Sequence, residues 1–236
     1  MKATKAPVPE SVAAPRRRFV LLPIAIYGVT LALIVLLWWI GAVRHDNPGR
    51  YFGEGRPGTT ATVLAFLLAG IVAGQTWWDL RPRRFAWFWL VASLGFIGLA
   101  IDDQFKVHEA IGDWITETTK LQGPTDHVDD IVVLFYAPIA GLVALPFCRL
   151  LLRLRGMIVY LGVGFVCFMV MALWDMRLEE EYDYDPYAME ESFKLLSAVS
   201  IAVAMMSARS ALGVWGPNKA YAFDELRTKR ATPPDP

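Results

Sequence analysis

Long apolar runs alternate along the chain with short polar segments, at about 19–43, 60–78, 85–101, 131–148, 157–174 and 190–215. A helix rising about 1.5 Å per residue needs roughly 20 apolar residues to cross a bilayer core. Each run therefore predicts one spanning helix, and no strand-like alternation competes with them. The predicted fold class is all-α, a polytopic membrane bundle of six transmembrane helices. Composition supports this reading, because 55% of the residues are apolar.

The first run follows Arg16, Arg17 and Arg18. It is longer than a signal-peptide core and has no small-x-small cleavage site, so it reads as an uncleaved span. Residues 1–15, with Pro7, Pro9 and Pro15 among alanines, read as a disordered tail. The six-span domain is expected over 16–215 and a second polar tail over 216–236.

Charge orients the bundle. Of 23 Lys and Arg, 16 fall on the side that holds both termini and the 79–84 and 149–155 turns, and 7 fall on the other side. The positive-inside rule then predicts cytoplasmic termini and multi-pass insertion in a bacterial inner membrane. Asp and Glu divide the opposite way, with 18 of 23 on the exoplasmic side. A net charge of zero thus conceals a polarised molecule whose acidic outer face, which also holds His45, His108 and His127, attracts cations.

The outer face carries the candidate chemistry. "LAIDDQFKVHEAIGDWI" (99–115) has no strong helix breaker, so the third span is expected to continue as an amphipathic extension through about Thr119. Within it, Asp102–Lys106 and Lys106–Glu109 have the spacing of helical ion pairs. His127 and Asp130 open the fourth span at i, i+3, a spacing at which two side chains can share a metal. Glu190 and Glu191 open the sixth span behind Asp185-Pro186, a good N-cap and N1 pair, and Glu190 is spaced to pair with Lys194.

Other features are structural. Gly70 and Gly74 form a Gly-x3-Gly pair, and Gly95, Gly98, Gly162 and Gly164 offer further close approaches. Pro138 and Pro146 predict kinks in the fourth span. All nine Trp residues lie near span ends, as an interfacial belt would place them. Cys148 and Cys167 read as small buried residues.

Asp102-Asp103-x4-His108-Glu109, followed two or three spans later by Glu190-Glu191-x3-Leu195-Leu196, resembles the pattern of uncharacterised bacterial six-span membrane proteins with an Asp-Asp/Glu-x4-His-Glu motif. A more distant similarity is to the alkaline ceramidase-like membrane hydrolases, which share multi-span architecture and an Asp/His zinc site. This chain lacks their late His-x3-His.

A carboxylate-rich set with one or two imidazoles suits a divalent Zn, Mn or Fe ion. The expected metal ligands are Asp102, His108, His127, Asp130 and Glu190, with Glu109 and Glu191 as catalytic carboxylates. Asp102 or Asp103 is expected to orient the imidazole. The function so implied is metal-dependent hydrolysis of a lipid-like substrate. The alternative is a non-catalytic accessory or assembly subunit of a larger, for example bioenergetic, membrane complex. Transport is disfavoured, since the spans show almost no mid-membrane ionisable residue. The expected partners are the bilayer and other membrane subunits, and the charge pattern gives no nucleic-acid footprint.

Overall fold

The computed structural model describes residues 18–52, 55–81, 83, 85–119, 128–178 and 187–212. They form α1 (Arg18–His45), α2 (Pro57–Leu80), α3 (Ala86–Phe105), α4 (Val107–Thr119), α5 (Val128–Ala144), α6 (Cys148–Leu151), α7 (Arg155–Leu178) and α8 (Tyr187–Ala211), and no strand is found among the described residues. The tails, His127 and the Asp185-Pro186 cap lie outside the described residues.

Among the described residues, five helices are long and apolar enough to cross a membrane: α1, α2, α3, α7 and α8. The run expected as the fourth span folds differently. It divides into α5 and the short α6, joined by a 3-10 turn at Leu145–Phe147 that contains Pro146. Proline has no N–H to donate and its ring crowds the preceding turn, so the α-helix yields there. Pro138 remains inside α5.

Helix ends follow local chemistry. Pro57 occupies the first turn of α2, where its missing N–H costs nothing. At the far end Arg81 adopts φ −60°, ψ 143°, the extended conformation that the following Pro82 favours.

At the centre α2 and α8 run parallel. Thr59 meets Glu191 near their first turns, and Asp79 accepts from Arg209 at 2.7 Å near their last. Packed on α2 is the antiparallel α3. Gly70 and Gly74 face Ser93 and Ile97, and Ser93 Oγ donates to the Gly70 carbonyl at 2.8 Å. A Cβ on Gly70 would sit 2.8 Å from Ile97 Cγ1. The glycine pair therefore permits the close approach expected of it.

On the other side, α7 packs antiparallel on α8, with Gly164 against Ser197 and Ser200. The remaining expected contacts at Gly95, Gly98 and Gly162 are not formed by the described residues, none of which lies within 4 Å of the position a Cβ would take at any of them. These three glycines lie off the packed seams.

Small residues on α8, including Ala198, Ala202, Ala204 and Ala208, are buried, so this helix forms the spine of the bundle. Large apolar side chains of α1, α5 and α7, such as Val29, Phe135 and Phe165, point outward, as lipid contact requires. Not every tryptophan is turned toward lipid: Trp89 is 0% exposed within the core, and Trp38 Nε1 donates to Ser192 Oγ at 3.1 Å. One expectation needs correction. Cys148 is exposed rather than buried, and both cysteines are free thiols.

Candidate functional site

The motif at the end of α3 folds into a helix break rather than the expected continuous helix. Lys106 is left-handed at φ 55°, ψ 44°, and its N–H closes α3 on the Asp102 carbonyl. A non-glycine residue holds this conformation only where neighbours over-determine it. Asp102 supplies the constraint. Its Oδ1 accepts the His108 backbone N–H at 2.7 Å, serving as N-cap of α4 from five residues upstream of its first residue.

The same carboxylate orients a side chain. Asp102 Oδ2 accepts from His108 Nδ1 at 3.1 Å and from the Tyr136 hydroxyl at 3.2 Å, joining α3, α4 and α5 at one point. With Nδ1 engaged, Nε2 is the nitrogen left for chemistry, and the His108 side chain is 19% exposed. The hydrogen bond to Asp102 and its negative charge raise the His108 pKa above the ordinary value, against the opposing effect of burial. Asp102 does not pair with Lys106, as its spacing had suggested. Lys106 reaches Glu109 instead, at 3.1 Å.

A second polar group is buried beside the first. Lys194 lies about two turns into α8, where its Nζ contacts Asp103 Oδ1 at 2.7 Å and Glu191 Oε1 at 3.0 Å. Glu191 Oε2 accepts from the Thr59 hydroxyl at 3.3 Å, so α2, α3 and α8 are tied together. The Asp103 and Glu191 side chains are only 6% and 8% exposed. Lys194 is therefore a buried cation just inside the end of an apolar span, at the same end of the bundle as Asp103 and Glu191. Its ion-pair partners are Asp103 and Glu191 rather than Glu190.

The structure thus divides the predicted site residues. Asp102 and His108 touch each other, Glu109 belongs to an exposed pair with Lys106, and Glu191 belongs to the buried Lys194 group. Glu190 opens α8 near Lys194, on which its charge acts. Asp130 lies in the first turn of α5 with its side chain outside the described set, and His127 lies outside it altogether. Among the described residues, no three His, Cys, Asp or Glu come together in a group that could hold a metal.

Lys194, Tyr136 and Thr59 were not assigned from sequence. For Lys194 a signal existed: a cation inside a run otherwise fit for a membrane, far from the terminal Arg209. For Tyr136 and Thr59 none did, since an aromatic or a threonine near a span end is ordinary.

The fold and its polar groups define a helical membrane protein with several spanning helices and a charged cluster at one end of its bundle. More particularly, the chain belongs to the family described as a domain of unknown function, DUF8692, whose model matches residues 51–208 and so includes both polar groups. No curated protein and no solved structure matches the chain.

Proposed function

We propose that this protein is a multi-pass inner-membrane enzyme whose outer end performs acid–base chemistry on a lipid-like ester or amide, with His108 as the base. One observation carries the reading: Asp102 holds His108 through Nδ1, which fixes the tautomer and leaves Nε2 to take a proton. In the reaction, Nε2 withdraws a proton from water as its oxygen attacks the substrate carbonyl. The imidazolium returns that proton to the leaving group, while Asp102 stays ionised and stabilises it. In this arrangement α5–α6 is the fourth of six crossings and both termini are cytoplasmic, as the distribution of Lys and Arg supports.

A divalent metal is a narrower version of the same proposal. It would bind His108 Nε2, with Asp102 as the carboxylate behind the imidazole. Further ligands would have to come from His127 or Asp130, beyond the described side chains.

The test is hydrolysis of a panel of glycerolipids and sphingolipids by purified protein, with and without added Zn or Mn. Activity should fall by about 100-fold or more in His108→Ala, within the range of general acid–base contributions. Activity equal to the wild type in that variant sinks the reading. A second reading, the non-catalytic subunit, is favoured by the exposed Val107, Ile111 and Trp114 on α4, an apolar face suited to a protein partner. Stoichiometric co-purification with a larger complex, without hydrolysis, would select it.

A further inference from the structure

Two exposed apolar rows meet at the break between α3 and α4. On α3, Val91, Leu94, Ile101 and Phe105 recur at the steps of three and four residues that keep side chains on one helix face, and the exposed Gly98 completes the row. This is the side that a spanning helix turns to lipid. On α4, Val107, Ile111 and Trp114 repeat the spacing and are again left exposed among the described residues. A single residue, the left-handed Lys106, separates the two rows.

The α4 helix has three sides. His108, Gly112 and Ile115 face the protein, with Gly112 buried and His108 bonded to Asp102. Glu109, Asp113 and Glu117 make an acidic row, of which Asp113 and Glu117 are exposed. Counting about 100° per residue, the apolar, inward and acidic rows stand roughly 100–135° apart around the axis. A helix surrounded by water needs no apolar side beyond the one packed on the protein, and a helix sunk in hydrocarbon would not carry three carboxylates. A helix at the boundary needs one side for protein, one for acyl chains and one for water. Trp114, 64% exposed, ends the apolar row as an aromatic ring at headgroup level does, and the turn from Thr116 to Thr119 beyond it is polar.

We propose that α4 lies in the membrane interface, with its Val107–Ile111–Trp114 side inserted among the lipids at that end of the bundle and its Glu109–Asp113–Glu117 side in water. Lipid, rather than a protein partner, is the occupant because the row continues the lipid-facing row of α3 across the break, so one surface serves both helices. The acidic side offers no attraction to anionic headgroups, so insertion rests on apolar burial and does not require anionic lipid. The break at Lys106 follows from this placement. A continuous α3 would carry its apolar row out into water, whereas the turn lets the row lie along the interface and holds His108 at headgroup level. The placement stands whether or not His108 is a base.

Spin labels test this on the full-length protein reconstituted in phosphatidylcholine vesicles. Single cysteines are introduced as Ile111→Cys, Asp113→Cys, Trp114→Cys and Glu117→Cys in a Cys148→Ser, Cys167→Ala background. Each nitroxide is probed with oxygen, which concentrates in acyl chains, and with a water-soluble nickel complex. Labels at 111 and 114 should favour oxygen and report a depth of about 5–10 Å into the headgroup–acyl boundary. Labels at 113 and 117 should favour nickel. Nickel access at 111 and 114 equal to that at 113 would put the whole helix in water and overturn the proposal. Low access of both reagents at 111 and 114 would reveal a covering protein, a second copy or another subunit, and would overturn it equally. If the labelled variants do not fold, the unlabelled protein decides. Brominated phosphatidylcholine should then remove more tryptophan emission from wild type than from Trp114→Phe, and equal losses would exclude Trp114 from the lipid.

Discussion

Asp102 receives two hydrogen bonds from His108, one from the backbone N–H at 2.7 Å and one from the ring Nδ1 at 3.1 Å. A single carboxylate therefore starts a helix and aims an imidazole. The two roles are inseparable in the folded chain, because the cap fixes where α4 begins and that start sets where the ring lies. This is why a left-handed lysine is retained between α3 and α4: a continuous helix would carry His108 away from Asp102 around the helix axis.

Substitution at Asp102 should reveal both roles together. Asp102→Ala removes the cap acceptor and should cost about 0.5–2 kcal/mol, the usual effect of losing an N-cap. Asp102→Asn keeps an acceptor oxygen but removes the charge, so it should destabilise less while lowering the His108 pKa. Denaturation in detergent, together with NMR titration of the ring protons, reads both effects. An unchanged His108 titration in Asp102→Asn would show that the 3.1 Å contact does not govern the imidazole.

The pH dependence has a definite sign. The folded-state pKa of His108 is raised, chiefly by its hydrogen bond to Asp102. Its contribution to stability is then fully present below the unfolded value of about 6.5, and is lost as pH rises through the higher folded value. Stability measured from pH 6 to 9, to take an approximate window around that value, should decline through a step that is absent from His108→Gln. Hydrolysis, if His108 is the base, follows the opposite course. It needs the neutral ring, so the rate should rise with pH through the same folded pKa, and Asp102→Asn should move that limb to lower pH. A rate limb that stays in place in Asp102→Asn would assign it to another group.

The glycines provide a comparison of packing within α2 and α3. Gly70→Ala places a methyl group 2.8 Å from Ile97 Cγ1 and 3.2 Å from the Ser93 carbonyl oxygen, so the α2–α3 seam must open. Overpacking of this kind costs about 1–3 kcal/mol. Gly98→Ala meets nothing within 4 Å and should be neutral or mildly stabilising. Thermal unfolding of the two variants, measured in the same lipid, should place Gly70→Ala below wild type and Gly98→Ala at or above it.

Sequence periodicity located the long helices because hydrocarbon imposes one length and one composition on any segment that crosses it. The pattern of the run at 131–148 alone did not reveal where it would divide, since a proline at Pro138 is accommodated while Pro146 ends an α-helix. For the polar residues, spacing within a helix misled where tertiary partners were stronger. Asp102 was spaced for Lys106 but found His108 and Tyr136, and Lys194 was spaced for Glu190 but found Asp103 across the bundle. Local i, i+4 pairs contribute only tenths of a kcal/mol, too little to hold a buried charge whose alternative partner lies on another helix. The Gly-x3-Gly pair was legible because close packing requires small residues at that spacing, whereas isolated glycines carry no such requirement.

Membrane orientation yields the last prediction. The two ends of the α2–α8 pair are chemically distinct: Thr59, Glu191 and Lys194 lie toward one, and Asp79 and Arg209 toward the other. On the proposed topology, which the 16 to 7 split of Lys and Arg supports, the Asp79–Arg209 end faces the cytoplasm. Cys148, an exposed thiol next to Arg149, lies between α5 and the turn expected on that side and can report on it directly. A membrane-impermeant maleimide should leave Cys148 unlabelled in intact cells and label it once the membrane is opened. A cysteine introduced at the exposed Thr118 of α4, in a Cys148→Ser background, should react without opening. The reverse pattern would place the Asp102–His108 pair on the cytoplasmic side, where its substrate would have to come from the inner leaflet.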